Sequence, residues 1–176
     1  NVAAGFEALR SNSSGRRNVA VGTNALYSNT TTSDVVAVGD SALYNSRGAS
    51  NTAIGSKAMF GNTTGINNTA SGYSALYSVT VGDGNTATGY RALYSDTSGV
   101  SNTATGGNSM LNNRSGNSNT AVGYFSMFAN QTGNENIAIG YAPLYNNTSG
   151  TQNIAVGFQS LYFNTTGNNN VAIGGN

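Results

Sequence analysis

The chain has 176 residues, only 7% of them charged, with 24 Gly, one Pro, no Cys and no His, and a formal net charge of +1. This excludes disulfide frameworks, zinc and iron sites of the usual ligand types, and every Ser–His or Cys–His nucleophile. A near-neutral charge without a basic cluster argues against nucleic acid and anionic membrane as partners. No apolar run approaches the ~18 residues of a transmembrane helix, so no membrane insertion is expected of this segment.

Asn-x-Ala-x-Gly recurs from end to end. The units begin at Asn1, Asn18, Val35, Asn51, Asn68, Asn85, Asn102, Asn119, Asn136 and Asn153, with a stub from Asn170. The spacing is seventeen residues throughout except from Val35 to Asn51, where it is sixteen. A unit this short cannot bury an apolar face alone and must stack on its neighbours. Residues 1–176 therefore read as one repeat domain, and the pattern predicts a segment of a longer fibrous protein. Twenty of the 24 glycines recur at two fixed unit positions, the fifth and the fifteenth, which is architecture rather than flexible linker.

Within a unit, the first element is a short five-residue strand such as Asn51-Thr52-Ala53-Ile54-Gly55, whose alternation puts residues two and four on one face and Ala on the other. Gly and two variable residues then form a corner. A second strand is expected at Ala-Leu-Tyr, for example Ala92-Leu93-Tyr94. A second corner follows, as in Asn62-Thr63-Thr64-Gly65, and the sixteen-residue unit loses its residue there, between Tyr44 and Gly48. Turns tolerate deletion and stacked strands do not. The fold class expected is all-β: a parallel β-solenoid of about ten coils.

Columns of equivalent residues then become ladders. The ninth-position column, with Leu26, Leu43, Leu76, Leu93, Met110, Met127, Leu144 and Leu161, is apolar without exception and should be the core. Ala at position three suits a narrow interior, and the leading Asn residues predict an amide ladder. The two-and-four column is Val/Ile-rich at both ends of the chain but polar in the middle. A face shared between subunits explains that better than a sealed core does, and a thin coil favours oligomerisation. A homotrimer is the expected partner arrangement.

The Asn-Thr-Ala-Ile-Gly core (Asn51–Gly55; Asn136-Ile137-Ala138-Ile139-Gly140) resembles the head repeats of trimeric autotransporter adhesins. The longer unit is similar to repeats of bacterial and phage tail-fibre-type proteins. The likeness covers the whole chain, with a unit a few residues longer than the common adhesin-head repeat and carrying Ala-Leu-Tyr. The resemblance implies a left-handed β-roll wound as a homotrimer, in a cell-surface or virion fibre outside the cell.

Six carboxylates, Glu7, Asp34, Asp40, Asp83, Asp96 and Glu135, lie in different units and mostly at different positions, so no paired acid site emerges and no enzyme is expected. No catalytic, cofactor or metal residue stands out. Three surface features carry the remaining functional readings. The Thr-x-Thr rungs, Thr86/Thr88 and Thr103/Thr105, are what an ice-binding face would use, against a semi-polar intersubunit face. Aromatic rows, Tyr73, Tyr90, Tyr124 and Tyr141 at position six and Tyr/Phe at position ten, suit stacking on surface glycans or packing between chains. Asn-x-Ser/Thr sequons at Asn12, Asn29, Asn62, Asn113, Asn130, Asn147 and Asn164 would carry a column of sugars where the source glycosylates, but are also good turn sequence. The leading expectation is an adhesive or structural fibre segment acting by avidity. Ice- or carbohydrate-binding by a lone solenoid, and an end-to-end filament joined through Asn170–Asn176 and Asn1, are the alternatives.

Overall fold

The computed structural model describes residues 1–175; Asn176, the last residue of the Asn170–Asn176 stub, lies outside them. Each unit contributes one three-residue strand: β1 (Val2–Ala4), β2 (Val19–Val21), β3 (Val36–Val38), β4 (Thr52–Ile54), β5 (Thr69–Ser71), β6 (Thr86–Thr88), β7 (Thr103–Thr105), β8 (Thr120–Val122), β9 (Ile137–Ile139), β10 (Ile154–Val156) and β11 (Val171–Ile173). They form a single parallel sheet in sequence order, paired equivalent residue to equivalent residue, as in Ala70↔Ala87 and Ala87↔Ala104. The sixteen-residue coil keeps this register, Val36 pairing with Thr52, so the missing residue is absorbed wholly in the turn. At about 4.8 Å per coil the ten steps from β1 to β11 rise about 48 Å.

The expected second strand does not form. Ala-Leu-Tyr is a turn, and its Leu or Met sits in the left-handed region in all ten coils, with φ between 48 and 55. The residue two before it does the same, with φ between 52 and 58. That residue is third in a turn closed by the N–H of residue eight donating to the fifth-position Gly, as from Ala92 to the Gly89 carbonyl at 3.4 Å. A positive φ there is the geometry of a type II turn. The turn still stacks: the Leu93 N–H donates to the Ser109 carbonyl one coil on, at 3.0 Å, and the Arg91 N–H to the Tyr73 carbonyl one coil back, at 3.0 Å. Coil-to-coil bonding thus supports a backbone that costs about 1–2 kcal/mol per left-handed residue.

The interior is as the columns predict. Leu26, Leu43, Leu76, Leu93, Met110, Met127 and Leu144 are fully buried, while Leu161, near one end of the stack, is partly covered. The Ala of β2 to β10 is fully buried against them. Where position eight is Ser instead of Ala, the hydroxyl is satisfied inward, Ser126 Oγ donating to the Ala138 carbonyl at 2.8 Å.

Two amide ladders complete the core. Asn68 Nδ2 donates across the coil to the Gly82 carbonyl at 2.7 Å, while its Oδ1 accepts the Asn85 N–H at 2.9 Å, and the pattern repeats at Asn85, Asn102, Asn119 and Asn136. The ladder is interrupted at Val35, which keeps the backbone half of the pattern by donating its N–H to Asn18 Oδ1 at 3.1 Å. The second ladder runs through position twelve, with Asn130 Nδ2 donating to Asn113 Oδ1 at 2.7 Å and Asn147 Nδ2 to Asn130 Oδ1 at 3.0 Å. Every buried Asn of the two ladders donates through Nδ2, as a polar group out of water requires, while Oδ1 of Asn62 finds no partner.

Candidate functional surfaces

With Ala turned inward, positions two and four of all eleven strands face outward and are half-exposed or exposed. The result is a lengthwise strip of Val, Ile, Ala, Thr and Ser without a single charged side chain. Thr86, Thr88, Thr103 and Thr105 lie together at its middle, on β6 and β7, paired Thr86 with Thr103 and Thr88 with Thr105. Large apolar side chains flank them along the strip, including Ile54, 47% exposed, and Ile139, 41% exposed. Every rung of the strip is a three-residue strand in the same register.

Across the fifth-position Gly lie the aromatic ladders. In the tenth-position ladder, rings stack continuously from Tyr27 through Tyr44, Phe60 and Tyr77 to Tyr94, with centroids 4.8–5.4 Å apart, and resume at Phe128, Tyr145 and Tyr162. In the sixth-position ladder Tyr73 stacks on Tyr90 at 5.7 Å, and Tyr124, Tyr141 and Phe158 form a second run. Ring faces are therefore largely covered by other rings, and edges and hydroxyls meet solvent. Both ladders are interrupted in the same coil, at Gly107 and Leu111.

The sequon asparagines are core rather than surface. Asn29, Asn62, Asn113, Asn130 and Asn147 are fully buried, with Asn12 and Asn164 partly so. Their Nδ2 atoms donate to the carbonyl three residues on, as from Asn62 to Gly65 at 3.1 Å. The nitrogen that would carry a glycan is therefore occupied inside the coil. Burial and the position of these amides follow from the need to bond the second turn, a signal that the turn chemistry of Asn-Thr-Thr-Gly already contained.

Position twelve also holds one of the six carboxylates among which the sequence showed no paired acid site. Asp96 is fully buried; its Oδ1 accepts the Gly99 N–H at 2.8 Å, and its Oδ2 has no partner. Burial pushes this carboxyl up to about 7, with the backbone bond from Gly99 opposing. The signal was available: Asp96 aligns with the Asn column, not with any surface position. The other charges remain outside, with Arg17 pairing Asp34 at 2.5 Å and Arg10 pairing Glu7 at 3.1 Å. Among the described residues no three Asp or Glu side chains gather, and no helix is long and apolar enough to cross a membrane.

No protein-family model, curated protein or solved structure matches this chain.

Proposed function

We propose that this chain is a non-enzymatic segment of an extracellular or virion fibre, left-handed in winding and trimeric, that attaches to surfaces through its repeated exterior. The observation that carries the reading is the uncharged strip. Eleven strands present Val, Ile and Thr outward over about 48 Å with no charge to keep the strip in water. A contiguous apolar surface of that kind marks an interaction site. Three copies meeting along it would cover the Val and Ile rungs at both ends and leave Thr hydroxyls in the middle to bond between chains. The resemblance of the unit to adhesin-head and tail-fibre repeats supports the same arrangement.

Sedimentation equilibrium tests it. A mass of three times 17.9 kDa is expected. A monomer at tens of micromolar overturns the trimer and leaves the strip as a free face. Mass rising without limit as concentration rises would instead mark end-to-end filaments. Ice binding by the free strip would appear as thermal hysteresis in the monomer.

A further inference from the structure

The outward strip carries its polar residues as one block. Position two is Thr in five successive strands, at Thr52, Thr69, Thr86, Thr103 and Thr120, and position four is Ser or Thr in three, at Ser71, Thr88 and Thr105. Both runs are centred on β6, and on either side both columns are aliphatic. Among the described residues none of these hydroxyls hydrogen-bonds within the chain, whereas Thr63, Thr80 and Thr97 on the second corner each donate to a carbonyl one coil on, at 2.9–3.0 Å.

The block matters because the coils are otherwise equivalent. Two strips of Val and Ile alone could slide past one another by whole coils, since each step unmatches one rung of eleven and keeps the rest. Such a slip turns a closed assembly into an open one, whose overhanging ends recruit further copies. Hydroxyls remove that freedom. A one-coil slip sets Thr120 level with Ile137, Thr52 with Val36, Thr105 with Val122 and Ser71 with Ile54. Each of those hydroxyls then lies against an aliphatic side chain, out of water and without a partner, which is disfavoured.

We propose that the block is a register key, read by a second copy of this chain lying parallel to the first. A copy presents the same order of hydroxyls and aliphatic side chains at the same spacing, so hydroxyl meets hydroxyl at one alignment only. A polar residue in an apolar coiled-coil seam sets register by the same physics. The proposal rests on the reading of the strip as the contact between copies, and adds which alignment that contact selects.

Nitroxide labels test it, since the chain has no Cys of its own. Chains labelled through Thr31→Cys, in coil two, are mixed with chains labelled through Thr166→Cys, in coil ten; both are exposed corner residues. Double electron–electron resonance should give one narrow distance between these labels, set by eight coil rises, about 38 Å along the axis. Replacing the whole block, every Thr by Val and Ser71 by Ala, should split it into several distances, roughly one coil rise apart. A gentler variant moves the key by one coil through Val36→Thr, Ile54→Thr, Thr105→Val and Thr120→Val, each a residue that other coils carry at that position. Labelled through Thr166→Cys and mixed with the native chain labelled through Thr31→Cys, it should lengthen the axial separation by one coil rise, about 4.8 Å. This variant carries the test alone if the block-free chain does not fold. A block-free chain that keeps one distance, or a shifted key that keeps the native distance, overturns the proposal and leaves the trimer standing. A single short distance would mark copies reversed end for end, which a block centred on β6 also matches, and overturns the parallel alignment. A native chain that sediments as a monomer removes the reading and the proposal together.

Discussion

Leu93 shows how a residue choice can encode backbone geometry. The ninth position is Leu or Met in every coil where φ is near +50, and never Val or Ile, although Val and Ile fill the strands two turns of chain earlier. A side chain branched at Cβ clashes in the left-handed region, whereas one branched at Cγ or unbranched does not. That pattern was visible in the sequence, but a hydrophobic column reads as core whether the backbone is strand or turn, so burial was legible and conformation was not. Leu93→Ile, ordinarily a mild exchange, should therefore destabilise by about 2 kcal/mol or more, while Leu93→Met stays under about 1.5 kcal/mol. Urea denaturation of the two variants checks this, and equal losses would contradict it. Gly89 belongs to the same class of constraint: φ is +128, and a Cβ would fall 2.7 Å from the Gly106 carbonyl carbon and oxygen. Gly89→Ala should lower the midpoint more than any Ala substitution on the exposed strip.

At the scale of the element, the amide ladders fix both turns to the sheet. Leading Asn residues announced the first ladder; the second was hidden because Asn-Thr-Thr-Gly satisfies turn preference, sequon and ladder alike, and only burial separates them. Asp96 gives the second ladder a pH dependence. Its carboxyl titrates near 7 in the folded chain, against about 3.9 for an unfolded Asp, so folding takes up a proton. This contribution is fully present below about pH 4 and is lost as pH rises through 7, a decline on the order of 4 kcal/mol at about 1.4 kcal/mol per unit. Asp34, lowered by its bond to Arg17, has the opposite sign and acts only under acid conditions. Asp96→Asn supplies the amide that the other coils use, Nδ2 donating to the carbonyl three residues on. Denaturation at pH 5 and pH 8 should show the native chain weaker at pH 8 and the variant nearly level. A native chain stronger at pH 8 would reject the burial account.

For the whole molecule, the period of seventeen was enough to define a stacked parallel sheet, because one register repeated ten times leaves no alternative pairing of comparable quality. The number of strands per coil was not legible, since short apolar triplets do not reveal whether they hydrogen-bond as strand or turn. The outward strip was legible from alternation alone. Its proposed burial between copies predicts that Thr88→Lys, which adds a charge at the centre of the strip, converts the trimer to monomer. The circular dichroism of the coil should be unchanged, as Thr88 is exposed and touches no core. A Thr88→Lys chain that still sediments as a trimer would place the contact elsewhere.

The interruptions bear on what happens when such a rod is pulled. Tension along the axis passes through every coil junction in series, so the rod parts at its weakest junction rather than at a strength summed over all of them. The second amide ladder loses its Asn at Ser46, Val79 and Asp96, and both ring ladders lapse together at Gly107 and Leu111. The junction between coils six and seven therefore has neither a ring stack nor a second-ladder amide bond, and is held by the sheet, the turn bonds and the first amide ladder. Under load the stack should open there first, and the coils on either side should stay wound while the middle pays out chain.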